Sequence, residues 1–247
     1  KVATRVILCY HADRYYLLHL CQWRGDLIVA ETLAVGKLDM EFLAALLEQY
    51  AHTDDERVVV GPRVGEDALV VDFGDRFLVA KTDPITFATD EIGWYAVNVN
   101  ANDIATTGAT CRWFLATLLL PEGRTTKHLV ETIFAQMSQA CRSLGIALCG
   151  GHTEITYGLD RPIVVGLMLG EVEREALVTT GGMRVGDDLI LTKGIAIEGT
   201  AIIAREKADA LATRFPPEFV ARCQDFLHNP GISVVTEARL ATAQARI

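Results

Sequence analysis

Between residues 58 and 170, β-rich apolar runs alternate with helical segments, and this alternation restricts the chain more than any other feature. Val58-Val59-Val60, Ala68-Leu69-Val70-Val71 and Phe77-Leu78-Val79-Ala80 read as strands, the last two joined by the turn Asp72-Phe73-Gly74-Asp75-Arg76. A helix is expected from about Glu91 through Thr107, closed by Gly108, because glycine ends a helix without strain. Residues 113–120 are strand-like, and Thr125 or Thr126 can cap a long helix that ends near Leu144-Gly145. Ile146-Ala147-Leu148-Cys149 reads as a short buried strand, and residues 162–170 as another. Strands and helices in this order pack as layers, so the class is α/β, or α+β with layered helices.

Leucines and alanines at helical spacing predict an amphipathic helix over 40–50. Before it, Val6-Ile7-Leu8 and Leu27-Ile28-Val29 flank the turn Arg24-Gly25-Asp26, which suggests a β-hairpin in an N-terminal extension, residues 1–35. After residue 172 the pattern changes: a turn-rich bridge over 181–188 leads into a further strand, Leu189-Ile190-Leu191-Thr192. The expected organisation is therefore an extension over 1–35, a domain over 36–172, and the start of an incomplete second domain over 173–247. The chain opens on Lys1, and its last helical run, around 238–243, stops at Ile247 with neither cap nor following strand, so a longer natural protein is expected.

Acidic residues outnumber basic ones 32 to 23, for a formal charge of −9, and no basic stripe offsets them, which disfavours a nucleic-acid partner. An anionic small-molecule substrate would need local help from glycine-loop amides, a helix N-terminus or a metal. The six cysteines form no CxxC pair, as in a reducing compartment. No apolar run is long enough to span a bilayer and no signal peptide is present, so the cytoplasm is expected.

Three acidic features stand at strand ends or within a helix: Gly65-Glu66-Asp67-Ala68, Lys81-Thr82-Asp83-Pro84 and Asn100-Ala101-Asn102-Asp103-Ile104-Ala105. Magnesium takes hard oxygen ligands from a few carboxylates and leaves room for phosphate and water, so carboxylates on separate elements suit it. Each has a plainer reading. Asp67 suits a turn cap and Asp83 a loop before proline, whereas Asn102-Asp103 in an apolar helix needs partners. Gly150-Gly151-His152-Thr153-Glu154 offers amides free of side-chain bulk for phosphate, although a tight turn explains the glycines equally well. His152 reads better as a structural or supporting histidine than as a metal ligand, and Cys149 reads as core. Thr192-Lys193-Gly194 sets a lysine after a strand, but GxxxxGK[ST], GxGxxG, GxSxG and HExxH are all absent.

These five segments, taken in order from about Gly61 to Ala204, resemble the AIR synthase-like (PurM-like) superfamily. That group holds AIR synthase, selenophosphate synthetase, thiamine-monophosphate kinase and the HypE-type hydrogenase maturation proteins, and the phrasing is most similar to AIR-synthase-related, HypE-like proteins. The resemblance implies a PurM-like N-terminal domain whose sheet pairs with that of a twin to form a barrel in a homodimer. It also implies ATP and Mg2+ as cofactors, with ATP in clefts at that assembly. By motif position Asp67, Asp83 and Asp103 would be the metal ligands and Asn102 would orient them. Gly150, Gly151, His152, Thr153 and Lys193 would approach nucleotide or substrate. The activity implied is ATP-dependent ligase, kinase or dehydratase chemistry on a carbonyl-type oxygen or other small substrate, in which positioning and charge neutralisation carry catalysis. The alternative is a non-catalytic dimeric module that binds nucleotide or metal. His152 stands where the kinase and HypE-type members carry aspartate, as in selenophosphate synthetase; neither Cys9 nor Cys21 has that enzyme's glycine-rich setting.

Overall fold

The computed structural model describes residues 32–51 and 53–244. The chain divides into two units, Lys1–Asp39 and Met40–Ile247. Of the first, residues 32–39 are described; they form no helix or strand, and the expected hairpin runs, with Cys9 and Cys21, lie outside the described residues.

The second unit is built on a six-stranded sheet with the order β1-β2-β3-β6-β4-β5. The strands are β1 (Val58–Val60), β2 (Leu69–Asp72), β3 (Arg76–Ile85), β4 (Thr110–Pro121), β5 (Ala147–Thr156) and β6 (Ile163–Glu173). Only β4 and β5 pair in parallel; every other pair is antiparallel. Helix α1 (Met40–Tyr50) precedes the sheet, α2 (Ile92–Thr106) links β3 to β4, and α3 (Lys127–Leu144) links β4 to β5. The termini of α3 follow from single residues: Thr126 Oγ1 accepts the Leu129 N–H at 3.1 Å, and Gly145 takes the left-handed conformation at φ 71°. Gly108, at φ 81°, follows α2 in the same way.

Side chains alternate across a strand, so each paired row shares one face. On the helix-covered face Lys81, Met168, Phe114 and Leu148 form one row, and Asp83, Gly166, Ala116 and Gly151 the next. Helix α2 lies on this face with ten of its residues buried, packed also against α3 and the C-terminal helix α7 (Val235–Gln244). Tyr95, Ile104, Phe114 and Met168 are all fully enclosed there. The opposite face carries Leu115, Leu119, Val165, Leu167 and Leu169, half-buried or exposed. Helices α4 (Ile197–Glu206), α5 (Ala208–Ala212) and α6 (Pro217–Asp225) precede α7.

Two expectations fail at β5. The strand does not stop at Cys149 but runs on through the glycine pair to Thr156, and Cys149 is exposed rather than core. The register between β4 and β5 slips opposite Phe114/Leu115, which leaves Cys149 as the unmatched residue of a bulge. Gly150 and Gly151 continue the strand at φ 127° and 141°, and a Cβ on Gly151 would lie 1.9 Å from the Ala116 carbonyl oxygen. Glycine is therefore what lets β5 approach β4 this closely. The strand expected at Leu189-Ile190-Leu191-Thr192 does not form; these residues are exposed and without regular structure.

Candidate functional site

Alternation along β3 sends Phe77, Val79, Lys81, Asp83 and Ile85 toward the helices, so an ammonium and a carboxylate share that face two residues apart. Helix α2 brings Asp103 to the same place, and the loop before β2 brings Asp67. Lys81 Nζ lies 2.9 Å from Asp103 Oδ2, 3.6 Å from Asp67 Oδ1 and 3.7 Å from Asp83 Oδ2. The lysine side chain is only 12% exposed, whereas Asp67, at 76%, stands at the solvent rim. Asp67, Asp83 and Asp103 thus each lie within 3.7 Å of one lysine ammonium.

Both partners of the closest pair shift upward. Burial alone would lower the Lys81 ammonium, but its hydrogen bond to Asp103 and the charges of Asp103, Asp83 and Asp67 override this and raise it. Burial also pushes the Asp103 carboxyl up; Lys81 pulls it back, and Asp67 and Asp83 push it up again. The two directions agree once the charges are counted. One ammonium serves three carboxylates, so the lysine is held firmly in its charged form while Asp103 still sits in surplus negative charge. Glu198, in the first turn of α4, adds to it: desolvation, then Asp83 and Asp103, push its carboxyl up although its side chain reaches solvent.

Beside Asp67 and Asp103 opens a cleft of about 170 Å³, walled by Glu66, Thr106, Thr107, Thr179 and Thr180 over an apolar floor that includes Val60 and Val70. Arg63, and then the Thr180 hydroxyl, which donates to it at 2.7 Å, lower the Glu66 carboxyl from its ordinary value. Asn100 is wholly buried; its Nδ2 donates to the Ala96 and Asp83 main-chain carbonyls at 2.9 and 3.2 Å, and its Oδ1 has no partner among the described residues.

The remaining expected site residues lie elsewhere. Asn102 turns away from the carboxylates: Nδ2 donates to the Ile232 carbonyl and Oδ1 accepts from the Val234 N–H, each at 2.8 Å. Lys193 serves the same turn, bonding to the carbonyls of Gly231 and Ser233 and pairing with Glu237 at 3.2 Å. Gly151 shares a row with Asp83 but stands three strands away, roughly 14 Å at ordinary strand spacing. Thr153 pairs with Leu118 on the helix-side face, whereas His152 and Glu154, 3.5 Å apart, pair with Thr117 and Leu119 on the opposite one. Among the described residues no three His, Cys, Asp or Glu side chains form a group that could hold a metal as they stand. Lys81, Asn100 and Glu198 were absent from the sequence-derived set. Period-two spacing from Asp83 could have found Lys81; nothing local marks Glu198, which depends on the packing of α4.

Residues 65–172 match the family described as AIR synthase related protein, N-terminal domain. The chain is similar to a selenide, water dikinase of Nitratidesulfovibrio vulgaris, 31% identical over 83% of this chain and 58% of the relative. It is also similar to a thiamine-monophosphate kinase of Aquifex aeolicus, 25% identical over 59% of this chain and 49% of the relative. A third relative, assigned to hydrogenase expression/formation in Methanocaldococcus jannaschii, is 26% identical over 71% and 54%. The chain thus spans about half the length of the curated relatives it matches. Among solved structures, AaThiL complexed with AMPPCP and TMP shares the fold at TM-score 0.60 and 19% identity, over 83% of this chain and 65% of that one. Hydrogenase maturation protein HypE does so at TM-score 0.56 and 20% identity, over 78% and 57%. Among the described residues no helix is long and apolar enough to cross a membrane.

Proposed function

We propose that this chain holds magnesium-complexed ATP at Asp67, Asp83 and Asp103 and uses it to phosphorylate or activate an oxygen of a small substrate. The observation that carries this reading is that three carboxylates, each from a different element, all reach the Lys81 ammonium beside a cleft. Their hard oxygens are the donors magnesium takes, and a single ammonium leaves them with negative charge for a cation to balance. Asn100, buried and bonded to the Asp83 main-chain carbonyl, adds an Oδ1 without a partner among the described residues close to β3. When bound, the metal would supply charge neutralisation for the phosphates. Asp83 and Asp103, fixed by β3 and α2, would hold it, with Asp67 closing from the rim. Asn102 would brace this end of α2 by gripping the 232–234 turn. Kinases among the relatives support phosphoryl chemistry.

The same proposal extends to assembly. The apolar sheet face, with Leu167 and Trp113 each 37% exposed, suits pairing with a second copy to close a barrel. Gly150, Gly151, His152 and Thr153, on the edge strand, would then meet nucleotide or substrate at the seam, with Lys193 contributing from the region after 172. Residues 36–172 would form the nucleotide-binding domain and 173–247 the start of a second domain. Four described cysteines are all free, which supports a cytoplasmic setting. One observation favours a second reading, a binding module without turnover: Lys81 already neutralises part of the site.

Thermal unfolding with and without Mg-ATP tests the proposal. At a hundredfold excess over its dissociation constant the ligand stabilises by about 2.7 kcal/mol. We expect a magnesium-dependent rise in midpoint that Asp83→Asn and Asp103→Asn each abolish. Equal shifts in all three proteins would remove these carboxylates from the site, and a shift without nucleotide consumption over a panel of phosphoryl acceptors would favour the binding module.

A further inference from the structure

Lys81 is an unusual centre for a site that is to take a cation. Its stem starts from β3, whose backbone at this point is paired with Met168 of β6, so the residue cannot withdraw as a loop lysine could. Its ammonium is nearly enclosed and closest to Asp103, the least exposed of the three carboxylates. A divalent ion that took Asp103 would have to displace the ammonium, and an enclosed ammonium stripped of its partner is costly. A metal that arrives with a polyphosphate brings its own remedy, since the displaced ammonium can then donate to phosphate oxygens.

We propose that Lys81 makes the site selective for phosphate-bound metal over bare metal: it occupies the carboxylates at rest and passes to the polyphosphate when the complex enters. This rests on the nucleotide reading above and adds a specificity-determining residue to it. Two structural features argue against a lysine that only neutralises charge. It contacts all three carboxylates rather than one, and the cleft that would receive a ligand is bounded by two of the same three, Asp67 and Asp103.

The test is binding, not turnover. Free Mn2+ is followed by electron paramagnetic resonance, and Mn-AMPPCP binding by calorimetry, on wild type, Lys81→Met and Lys81→Arg, each first checked for a cooperative thermal transition. Wild type should bind bare Mn2+ weakly and Mn-AMPPCP well. Lys81→Met should bind bare Mn2+ about tenfold more tightly and Mn-AMPPCP about tenfold less tightly, so that the coupling between metal and nucleotide falls by about a hundredfold. Lys81→Arg should keep the wild-type order. If Lys81→Met fails to fold, Lys81→Gln gives the same comparison. Unchanged bare-metal affinity in a folded Lys81→Met, with wild-type Mn-AMPPCP binding still lost in Asp103→Asn, overturns the role of Lys81 and leaves the nucleotide site standing. Absence of Mn-AMPPCP binding in wild type overturns both.

Discussion

Asn102 Oδ1 accepts the Val234 main-chain N–H at 2.8 Å while its Nδ2 donates to the Ile232 carbonyl at 2.8 Å, so one amide clamps a turn more than a hundred residues away in sequence. Both partners are main-chain groups that must be paired when withdrawn from water. The clamp ties α2, which carries Asp103, to the segment leading into α7. Lys193 holds the same turn from the other side through the Gly231 and Ser233 carbonyls.

Asn102→Ala removes both bonds and leaves two backbone groups unsatisfied. We expect a loss of about 2 kcal/mol, at the scale of unmade buried hydrogen bonds, measured as a lower urea midpoint at unchanged slope. Asn102→Asp keeps the acceptor for Val234 but faces the Ile232 carbonyl with a second negative oxygen. It should therefore be no more stable than the alanine variant. A wild-type midpoint in both would mean that the turn is held without Asn102.

The glycine pair makes a second, sharper comparison. An alanine Cβ at 151 would stand 1.9 Å from the Ala116 carbonyl oxygen and 2.6 Å from its carbon, backbone atoms that cannot step aside. At 150 no atom of the described residues lies within 4 Å of such a Cβ, so the positive φ is what resists. Gly150→Ala should cost roughly 1–2 kcal/mol from backbone strain alone. Gly151→Ala should cost about 3 kcal/mol or more, from strain and overpacking together, or fail to accumulate as soluble protein. Equal costs in calorimetric unfolding would mean that β5 does not lie this close to β4.

The contrast between these positions also marks what the sequence could reveal. Helix ends were legible because one residue decides each: Thr126 caps α3, and Gly145 and Gly108 end their helices. The convergence of Asp83 with Asp103 was legible only as a shared motif order, since α2 must first cross the sheet to bring them together. Lys81 stood in plain view two residues before Asp83, but its role emerges only when the carboxylates surround it. The path of β5 was hidden because a Gly-Gly pair encodes a turn and a glycine-tolerant strand equally well. Nor could spacing foretell that Cys149 would be squeezed out by a bulge, which depends on register against β4. Glu198 joins the acidic site through the placement of α4, a tertiary fact with no local signal.

The apolar sheet face yields a prediction about assembly. Leu167 pairs with Leu115 on one side and Thr82 on the other, at the middle of that face, and is 37% exposed. If this face joins two copies, Leu167→Glu places a charge in the interface and should halve the mass seen by light scattering, with far-ultraviolet circular dichroism unchanged. A buried unpaired charge is costly enough to break such contacts at ordinary concentrations. An unaltered mass, dimeric or monomeric in both proteins, would take Leu167 out of any interface.

Glu198 supplies the pH dependence. Its carboxyl is raised above the ordinary glutamate value by desolvation and then by Asp83 and Asp103. A folded state that holds this proton more tightly than the unfolded chain loses stability as pH rises through the interval between the two values. Below that interval the group is neutral in both states and contributes no penalty; above it the full penalty remains. Glu198→Gln mimics the neutral form, so it should raise the thermal midpoint of ligand-free protein at pH 7 and leave it unchanged near pH 3. The gain should stay below about 1 kcal/mol, because the side chain reaches solvent and its charge is screened there. Saturating Mg-ATP should shrink or reverse the advantage, since the cation needs the negative charge that the free protein is burdened by. A variant stabilised equally at both pH values would owe its gain to packing, and the charge surplus at Asp83, Asp103 and Glu198 would no longer support the proposed cation site.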